Sequence, residues 1–227
     1  MNIPTHIGII LDGNRRWAKE KGLSTFSGHK KGVDNVREIL KHAQKLGVKY
    51  LTFYCFSTEN WDRAEKEIGY LMNLFITFIE KNLDEMMKEK VVLKHLGDPT
   101  RLPKRLQNVL IDACEKTKDN TGTVVSLAIN YGGRDEIKRM IKKLIQEKIK
   151  PEDISDELIN SHLDTGSIPY PDLLIRTSGE QRISGFLLWQ AAYAELYFPK
   201  TYWPDFHEHD LDLAIEEFNR RQRRFGK

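Results

Sequence analysis

Residues 6–19, with the sequence HIGIILDGNRRWAK, decide the fold of this chain. The apolar run over residues 7–11 predicts a strand that is buried on both faces, as strands are in a parallel sheet. The run ends in Asp12-Gly13-Asn14-Arg15-Arg16, and a helix-like segment follows. A strand that passes through a short polar turn into a helix is typical of the α/β class.

The remaining sequence repeats this alternation of strands and helices. Apolar runs predict strands over residues 6–11, 50–56, 91–96, 123–129, 172–175 and 195–198. Helix-like segments cover residues 29–46, 67–88, 101–118, 134–147, 155–162 and 210–221. Because no linker divides the chain, we expect residues 1–227 to form one α/β domain. Its six-stranded, mostly parallel sheet would be flanked by helices on both faces.

The composition is that of a globular protein without a strong electrostatic bias. Hydrophobic residues make up 40% of the sequence, charged residues make up 30%, and the formal net charge is +3. This charge is too small to indicate a nucleic-acid partner, and no apolar run is long enough to span a bilayer. No signal-peptide pattern is present, so we expect a cytoplasmic protein. Cys55 and Cys114 are expected to be core residues in a reducing compartment.

Polar, arginine-containing loops follow several of the predicted strands. In a parallel sheet these loops meet at one edge, where the ligand clefts of open α/β sheets form. The side chains collected there would be those of Asp12, Arg16, Asn60, Arg63, Arg176, Arg182 and Ser184. Forked guanidinium donors fit phosphate oxygens, and backbone N–H groups at a helix start attract anions. Since Asp12 would repel phosphate unless a cation lay between them, the pattern predicts a Mg²⁺-bridged site for two phosphate-bearing groups.

Several of these features also allow a plainer interpretation. Arg176 at a strand end is typical of a surface ion pair, and His29 would serve as an N-terminal turn residue of a helix. Glu195 interrupts an apolar stretch, so it would either pair with an arginine or bind Mg²⁺. The broad apolar face of the helix at 67–88 would pack in the core or line an apolar channel.

Other common catalytic patterns are absent from the sequence. There is no P-loop, and no GxGxxG follows the first strand. His207 and His209 alternate with acidic residues, but no third nitrogen or sulfur ligand is nearby in the sequence. We therefore expect these histidines to lie at a solvated helix start rather than in a zinc site.

Several motifs resemble those of the cis-prenyltransferases. HIGIILDGNRRWA resembles the first signature of that family, and FSTENW followed by Arg63 resembles the second. IRTSGEQRIS, FLLWQ, AYAELYF and WPDF resemble the third block, and RRFG at residues 223–226 resembles the terminal motif. The matches run in order and cover nearly the whole chain. The resemblance implies the α/β fold of that family, with a hydrophobic tunnel.

The resemblance also implies a role for each matching position. Asp12 would be the Mg²⁺-associated carboxylate that helps an allylic diphosphate to leave, and Glu195 would be a second metal contact. Asn60 would orient groups near the reacting carbons. The residues expected to bind the allylic diphosphate, or to shape its site, are Gly13, Asn14, Arg15, Arg16, Trp17, His29, Trp61 and Arg63. Those expected to bind isopentenyl diphosphate are Arg176, Arg182 and Ser184, with Arg224 and Gly226 reaching the site of the other subunit in a homodimer.

Three positions depart from the pattern of the family. Thr25 lies where many relatives carry an arginine that contacts the allylic diphosphate, which would weaken or reshape binding of the acceptor. Gln181 replaces a histidine found in some relatives, and Gly185 replaces a common asparagine. Neither of these two changes removes a charged ligand, so we expect them to tune the reaction rather than abolish it.

The function implied is Mg²⁺-dependent condensation of isopentenyl diphosphate with an allylic diphosphate such as farnesyl or geranyl diphosphate. The product would be a cis-polyprenyl diphosphate, a precursor of an undecaprenyl-type lipid carrier of the cell wall, and this lipid would allow peripheral association with a membrane. Two alternatives remain open. One is an irregular or short-chain prenyl coupling, for which Thr25 is the sequence hint, and the other is a non-catalytic binding subunit.

Overall fold

The computed structural model describes residues 2–221, which contain six strands and seven α-helices. The strands are β1 (His6–Ile10), β2 (Tyr50–Ser57), β3 (Val92–Leu96), β4 (Val124–Tyr131), β5 (Leu173–Arg176) and β6 (Glu195–Tyr197). The helices are α1 (Asn14–Glu20), α2 (Thr25–Leu46), α3 (Glu65–Lys88), α4 (Lys104–Thr117), α5 (Gly133–Gln146), α6 (Asp156–His162) and α7 (Glu208–Arg220). The prediction of a single α/β domain built on six strands is confirmed.

The sheet has the strand order β3-β4-β2-β1-β5-β6, and every neighbouring pair is parallel. β1 therefore lies between β2 and β5, with Ile7 opposite Leu51 on one side and Leu173 on the other. Because all strands point the same way, the loops that follow β1, β2, β4 and β5 leave from the same edge of the sheet. This edge is the one that carries Asp12.

Successive side chains of each strand point to opposite faces of the sheet, and both faces are buried. Ile9, Ile175 and Ile129 pack in a large apolar cluster with side chains of α2, α3, α4 and α7. Their sequence neighbours Ile10 and Leu174 belong to a second cluster on the other face, which includes residues of the segment 183–196. The near-continuous apolar runs of the sequence thus reflect strands buried from both sides.

The main difference from the predicted elements lies before His29. The helix-like segment expected after the first strand is α1, and α2 begins at Thr25, four residues earlier than predicted. The Ser24 side chain accepts the N–H of Ser27 and so caps the start of α2. His29 is therefore inside the helix rather than at its first turn. Among residues 2–221, no helix is both long enough and apolar enough to cross a bilayer.

Candidate active site

A cavity of about 880 Å³ opens at the edge of the sheet that carries Asp12. Residues from the ends of β1, β2 and β5, from the loops that follow them, and from α2, α3 and α5 line it. The polar residues of this lining include Asp12, Asn14, Arg15, Arg16, His29, Ser57, Glu59, Asn60, Arg63, Arg134, Arg176 and Ser184. The parallel sheet thus brings residues that are far apart in the sequence into one cleft.

Asp12 lies at the centre of the charged part of this cavity. Its Oδ2 accepts hydrogen bonds from Nη2 and Nε of Arg176 at 2.8 and 3.2 Å, and its Oδ1 accepts one from Nη2 of Arg16 at 3.2 Å. Burial alone would raise the pKa of the Asp12 carboxyl, but the hydrogen bonds and charges of Arg176 and Arg16 hold it below its ordinary value. Asp12 is therefore a stable anion in contact with two guanidinium groups.

The buried side chain of Arg176 links the end of β5 to the loop that follows it. Its side chain is only 7% exposed. Besides the two bonds to Asp12, its Nη1 donates to the carbonyl of Arg182 and to Oγ of Ser184, each at 2.7 Å. Four of the five guanidinium N–H groups are thus engaged within the protein. Arg176 fixes the position of Asp12 relative to Ser184, and the surface-pair interpretation of this residue is wrong.

Glu180 links the two other arginines of this region. Its Oε1 accepts from Nη1 of Arg16 at 2.8 Å, and its Oε2 accepts from Nη1 of Arg182 at 2.5 Å. Arg16 also donates to Oγ of Ser178 at 2.6 Å. Since Arg182 is tied to Glu180 and does not line the cavity, it contributes here through its backbone carbonyl.

The turn between β1 and α1 depends on Gly13. This residue has φ = 108°, and a Cβ atom there would lie 2.7 Å from the ring of Tyr202. Its carbonyl accepts the first helical bond of α1, from Trp17, at 2.8 Å. No side chain caps the N-terminus of α1, so the N–H groups of its first turn have no intrahelical partner. Asn14 contributes its backbone here, because its side-chain oxygen is buried against Gly32 without a hydrogen-bond partner.

A second charged group lies where α2 meets the start of α3. Nε2 of His29 is 3.0 Å from Oε1 of Glu67, and Nη1 of Arg63 donates to the same oxygen at 3.3 Å. Burial lowers the pKa of His29, against the opposing effect of Glu67, and burial likewise lowers the pKa of Arg63. His29 is 5% exposed. His29 and Arg63 both line the cavity.

Asn60 and Trp61 stabilise the loop after β2. Asn60 Oδ1 accepts the N–H of Ser57 at 3.1 Å and so caps the N-terminus of the short 3₁₀-helix Thr58–Asp62. Asn60 also lines the cavity. Trp61 donates from Nε1 to Oδ1 of Asn130 at 2.7 Å and packs edge-on against Phe56. Trp61 is not part of the cavity lining, so its contact is with the protein rather than with the cavity.

The other end of the cavity is apolar. Leu71, Phe75, Phe78 and Ile79 of α3 line it, together with Val33 and Val36 of α2. Several of these residues are also part of the main core cluster. The two interpretations of the helix at 67–88 are therefore both correct, since one apolar surface packs in the core and also walls the cavity.

Within residues 2–221, two other predicted residues do not line the cavity. Trp17 is buried beside it and does not line it. Glu195 begins β6 opposite Leu173, whose partner in β1 is Ile7, so along the strand direction it lies three residues, or about 10 Å, from Ile10, the end of β1 that carries Asp12. Its Oε2 accepts from Nη1 of Arg221 at 3.1 Å. Glu195 therefore pairs with an arginine and cannot share a cation with Asp12 of the same chain. Arg224 and Gly226 lie outside the described residues.

Four charged residues of the site were not singled out in the sequence. Glu180 and Arg134 lie in polar stretches that were recognised only as loops, and Glu59 lies within the second motif. Glu67 opens an amphipathic helix, and nothing local in the sequence links it to His29. For Glu180 and Glu67 the missing information is a contact between elements that are distant in the sequence.

Two of the departures have a structural explanation. Thr25 is the first residue of α2 and follows the capping Ser24, so it fits the helix start. Gly185 has φ = 77°, a left-handed conformation that glycine adopts freely and asparagine adopts more readily than most residues. The structure does not explain the glutamine at position 181.

Comparisons with known proteins agree with this geometry. Residues 10–226 match the family model described as "Putative undecaprenyl diphosphate synthase". The chain is 50% identical to an isoprenyl transferase of Clostridium perfringens over 99% of this chain and 90% of that protein. It is 48% identical to an isoprenyl transferase of Streptococcus agalactiae over 99% of this chain and 93% of that protein.

Two solved structures share the fold over nearly their whole length. One is lavandulyl diphosphate synthase from Lavandula x intermedia in complex with dimethylallyl diphosphate, with a TM-score of 0.96, 36% identity, and 99% coverage of both chains. The other is a probable undecaprenyl diphosphate synthase from Campylobacter jejuni, with a TM-score of 0.84, 32% identity, and complete coverage of both chains. The chain therefore belongs to the undecaprenyl diphosphate synthase family of cis-prenyltransferases and is a prenyl-transferring enzyme.

Proposed function

We propose that this enzyme elongates an allylic diphosphate with isopentenyl diphosphate, in a Mg²⁺-dependent reaction that forms cis double bonds. The observation that carries the proposal is the cavity itself, which joins a group of arginines around Asp12 to an apolar end. A prenyl diphosphate has the same two parts, an anionic head and an apolar chain. Farnesyl and geranyl diphosphate are the allylic substrates we would test first.

Asp12 is suited to hold Mg²⁺ next to a diphosphate. Mg²⁺ in such sites is bound by one or two carboxylates together with substrate phosphate oxygens and water. Among residues 2–221, Asp12 Oδ1 accepts one hydrogen bond, from Arg16, and a carboxylate oxygen has capacity for two. Among residues 2–221 no group of three or more histidine, cysteine or acidic side chains is placed to hold a metal ion, so the substrate would have to supply the remaining ligands.

The residues around Asp12 would act on the departing diphosphate. Mg²⁺ at Asp12 would stabilise the negative charge that develops as the allylic C–O bond breaks. Arg15 and Arg16 and the uncapped N–H groups of α1 would bind the same oxygens and hold them in place. Arg176 would fix Asp12, and the loop with Ser184 would hold isopentenyl diphosphate so that its double bond lies close to the allylic carbon.

The apolar end of the cavity would shelter the growing chain. Within residues 2–221, His29 is the one ionisable residue that α2 and α3 contribute to the cavity lining, so the hydrocarbon would displace water from an apolar surface. We propose a long product of the undecaprenyl type, released as a lipid that would keep the enzyme near a membrane surface.

The proposal is tested by incubating the purified chain with Mg²⁺, farnesyl diphosphate and labelled isopentenyl diphosphate, followed by sizing of the products. We expect a series of products that grow by one isoprene unit. Asp12→Ala should remove most of this incorporation while the protein stays folded. Near-wild-type incorporation by a folded Asp12→Ala protein would refute the role of Asp12, and an inactive wild-type chain would favour the non-catalytic subunit.

Irregular coupling of two short prenyl units is the second candidate. It is favoured by the similarity to lavandulyl diphosphate synthase, whose TM-score of 0.96 exceeds the 0.84 of the undecaprenyl-type structure. The experiment that separates the two reactions offers dimethylallyl diphosphate alone and then with isopentenyl diphosphate. A branched ten-carbon product from dimethylallyl diphosphate alone, identified by mass spectrometry, would establish irregular coupling.

We further propose that the enzyme is a homodimer. Ile141 and Ile145 on α5 are 47% and 70% exposed, which is unusual for large apolar residues of one helix and is consistent with contact to a second copy. Light scattering on the purified chain would decide between one copy and two. A monomer mass at micromolar concentration would contradict the dimer.

A further inference from the structure

Most of the arginines in the site are already bound to carboxylates of the protein. Arg176 and Arg16 bond Asp12, Arg16 and Arg182 bond Glu180, and Arg63 bonds Glu67. A diphosphate carries more negative charge than Asp12, and these pairs leave limited positive charge with which to bind two diphosphates. The guanidinium groups that remain available are therefore of particular interest.

Arg134 is one such group on the side of the cavity that carries Ser184. It is the second residue of α5, it is exposed, and it lines the cavity. Among residues 2–221 its side chain makes no hydrogen bond or ion pair. The adjacent carboxylate, that of Asp135, is engaged by Arg139, whose Nε donates to Oδ2 at 2.9 Å. The Arg134 guanidinium is therefore available to an anion in the cavity.

The position of Arg134 in α5 is unfavourable for a cation. The N-terminal turn of a helix carries a partial positive charge, so it favours acidic residues and disfavours arginine. α5 follows this rule at its next two residues, Asp135 and Glu136. An unpaired arginine beside them does not stabilise the helix, which indicates that its charge serves another purpose.

The start of α5 is held directly against the loop of Ser184. The N–H of Gly133 donates to the carbonyl of Gly185 at 2.7 Å. The hydroxyl of Tyr54 donates to the carbonyls of Tyr131 and Ser184 at 3.2 and 3.4 Å, which ties the same two segments together. Arg134 therefore has a fixed backbone position next to Ser184, and this is the side of the cavity where we place isopentenyl diphosphate.

We propose that Arg134 is a further substrate-binding residue, and that its guanidinium binds the diphosphate of isopentenyl diphosphate opposite Ser184. This inference rests on the proposed function for the identity of the ligand. Because Arg176 is bonded to Asp12 and Arg182 is bonded to Glu180, these two arginines neutralise the charge of the diphosphate incompletely. Arg134 would supply the remaining positive charge.

The test compares Arg134→Gln, Arg134→Lys and a control variant, Lys142→Gln, which removes one positive charge two turns further along the same helix. We expect Arg134→Gln to raise the KM for isopentenyl diphosphate about tenfold, the loss expected for one charge-assisted contact. The KM for the allylic diphosphate should change less than twofold, and Arg134→Lys should restore part of the loss. Lys142→Gln should behave as the wild type.

Thermal unfolding distinguishes a substrate-binding role of Arg134 from a structural role. The two roles predict opposite changes in the melting temperature of Arg134→Gln. Because arginine is disfavoured at this helix start, the melting temperature of Arg134→Gln should equal or exceed that of the wild type. A lower melting temperature with both KM values raised would overturn the proposal in favour of a structural role. An unchanged KM for isopentenyl diphosphate would also overturn it.

Calorimetry keeps this test separate from the proposed reaction. Inorganic diphosphate and isopentenyl diphosphate are titrated into each variant without an allylic substrate. If the wild type made no polyprenyl product, the proposed function would fail, yet a tenfold weaker affinity of Arg134→Gln for inorganic diphosphate would still support an anion-binding role. Equal affinity of the wild type and Arg134→Gln for both ligands would reject that role.

Discussion

Replacing Asp12 by asparagine leaves the guanidinium of Arg176 without its anionic partner. The resulting loss in the free energy of unfolding depends on how deeply the pair is buried. Removing one partner of a fully buried ion pair costs about 3–5 kcal/mol, whereas an exposed pair contributes about 0–1 kcal/mol. The side chains of Arg176 and Asp12 are 7% and 26% exposed, so the pair is closer to the buried limit. We expect Asp12→Asn to lower the free energy of unfolding by about 2–3 kcal/mol. For a chain of this size the melting temperature should fall by roughly 4–12 °C.

Urea denaturation of four proteins measures this effect: the wild type, Asp12→Asn, Arg176→Met and the double variant. The double-mutant cycle should give a coupling energy of about 1.5 kcal/mol or more, since both residues act on each other directly. Lys21 and Asp205, 3.5 Å apart and about half exposed, provide a control pair whose coupling should stay below about 0.5 kcal/mol. Equal couplings for the two pairs would refute the idea that Arg176 and Asp12 form a buried unit.

The pH dependence of the same variants has a defined sign. The folded pKa of Asp12 is below its ordinary value of 3.8, so its stabilising contribution is present above that pH and is lost as the pH falls through the folded pKa. Asp12→Asn should lack this acid-induced loss. A wild type and a variant with parallel stability curves between pH 5 and pH 2 would contradict the assignment.

Three further predictions concern other parts of the site and the sheet. Gly13→Ala should destabilise the fold by more than Gly22→Ala. Both glycines have positive φ, but of the two only Gly13 has a neighbour that a Cβ atom would clash with, the ring of Tyr202 at 2.7 Å. Equal melting temperatures of the two variants would contradict this prediction. Burial lowers the pKa of His6 to about 4, below its ordinary 6.5, so the unfolded chain binds the proton more readily and stability should fall as the pH drops from 7 to 5. A His6→Asn variant should lack about 2 kcal/mol of this loss in urea titrations, and an unchanged slope would refute it. Asn60→Asp keeps the acceptor for the Ser57 N–H at 3.1 Å but removes the amide donor. Turnover should therefore fall while the melting temperature stays close to that of the wild type. A fall in both turnover and melting temperature would assign Asn60 a purely structural role.

The sheet was predictable from the sequence because each strand carries its own signal. The run Ile7-Gly8-Ile9-Ile10 is apolar at every position, which only a strand covered on both faces requires. The turn after it is also local, and its Asp12 and Gly13 identify the edge where the site forms. These features depend on neighbours in the sequence and could be read without coordinates.

The errors concern properties that a linear pattern does not contain. Glu195 was considered for metal binding because it is acidic within an apolar stretch, and the sequence does not contain its pairing with Arg221, which lies at the C-terminal end of α7. The partner of His29 is Glu67, 38 positions away, and only the packing of α2 against α3 brings them together. Trp61 lies in a motif most of whose members line the cavity, yet its indole N–H is bonded to Asn130 of β4.

The central position of β1 has a consequence for how the enzyme is made. β1 is synthesised before the other five described strands, but one of its two neighbours in the sheet, β5, begins only at Leu173. Until that segment has left the ribosome, one side of β1 has no partner strand, and Asp12 has no Arg176. Pairing across such a sequence separation is slow compared with local contacts. Nascent chains that end before β5 would therefore be inactive and would expose an unpaired strand edge to chaperones and to aggregation.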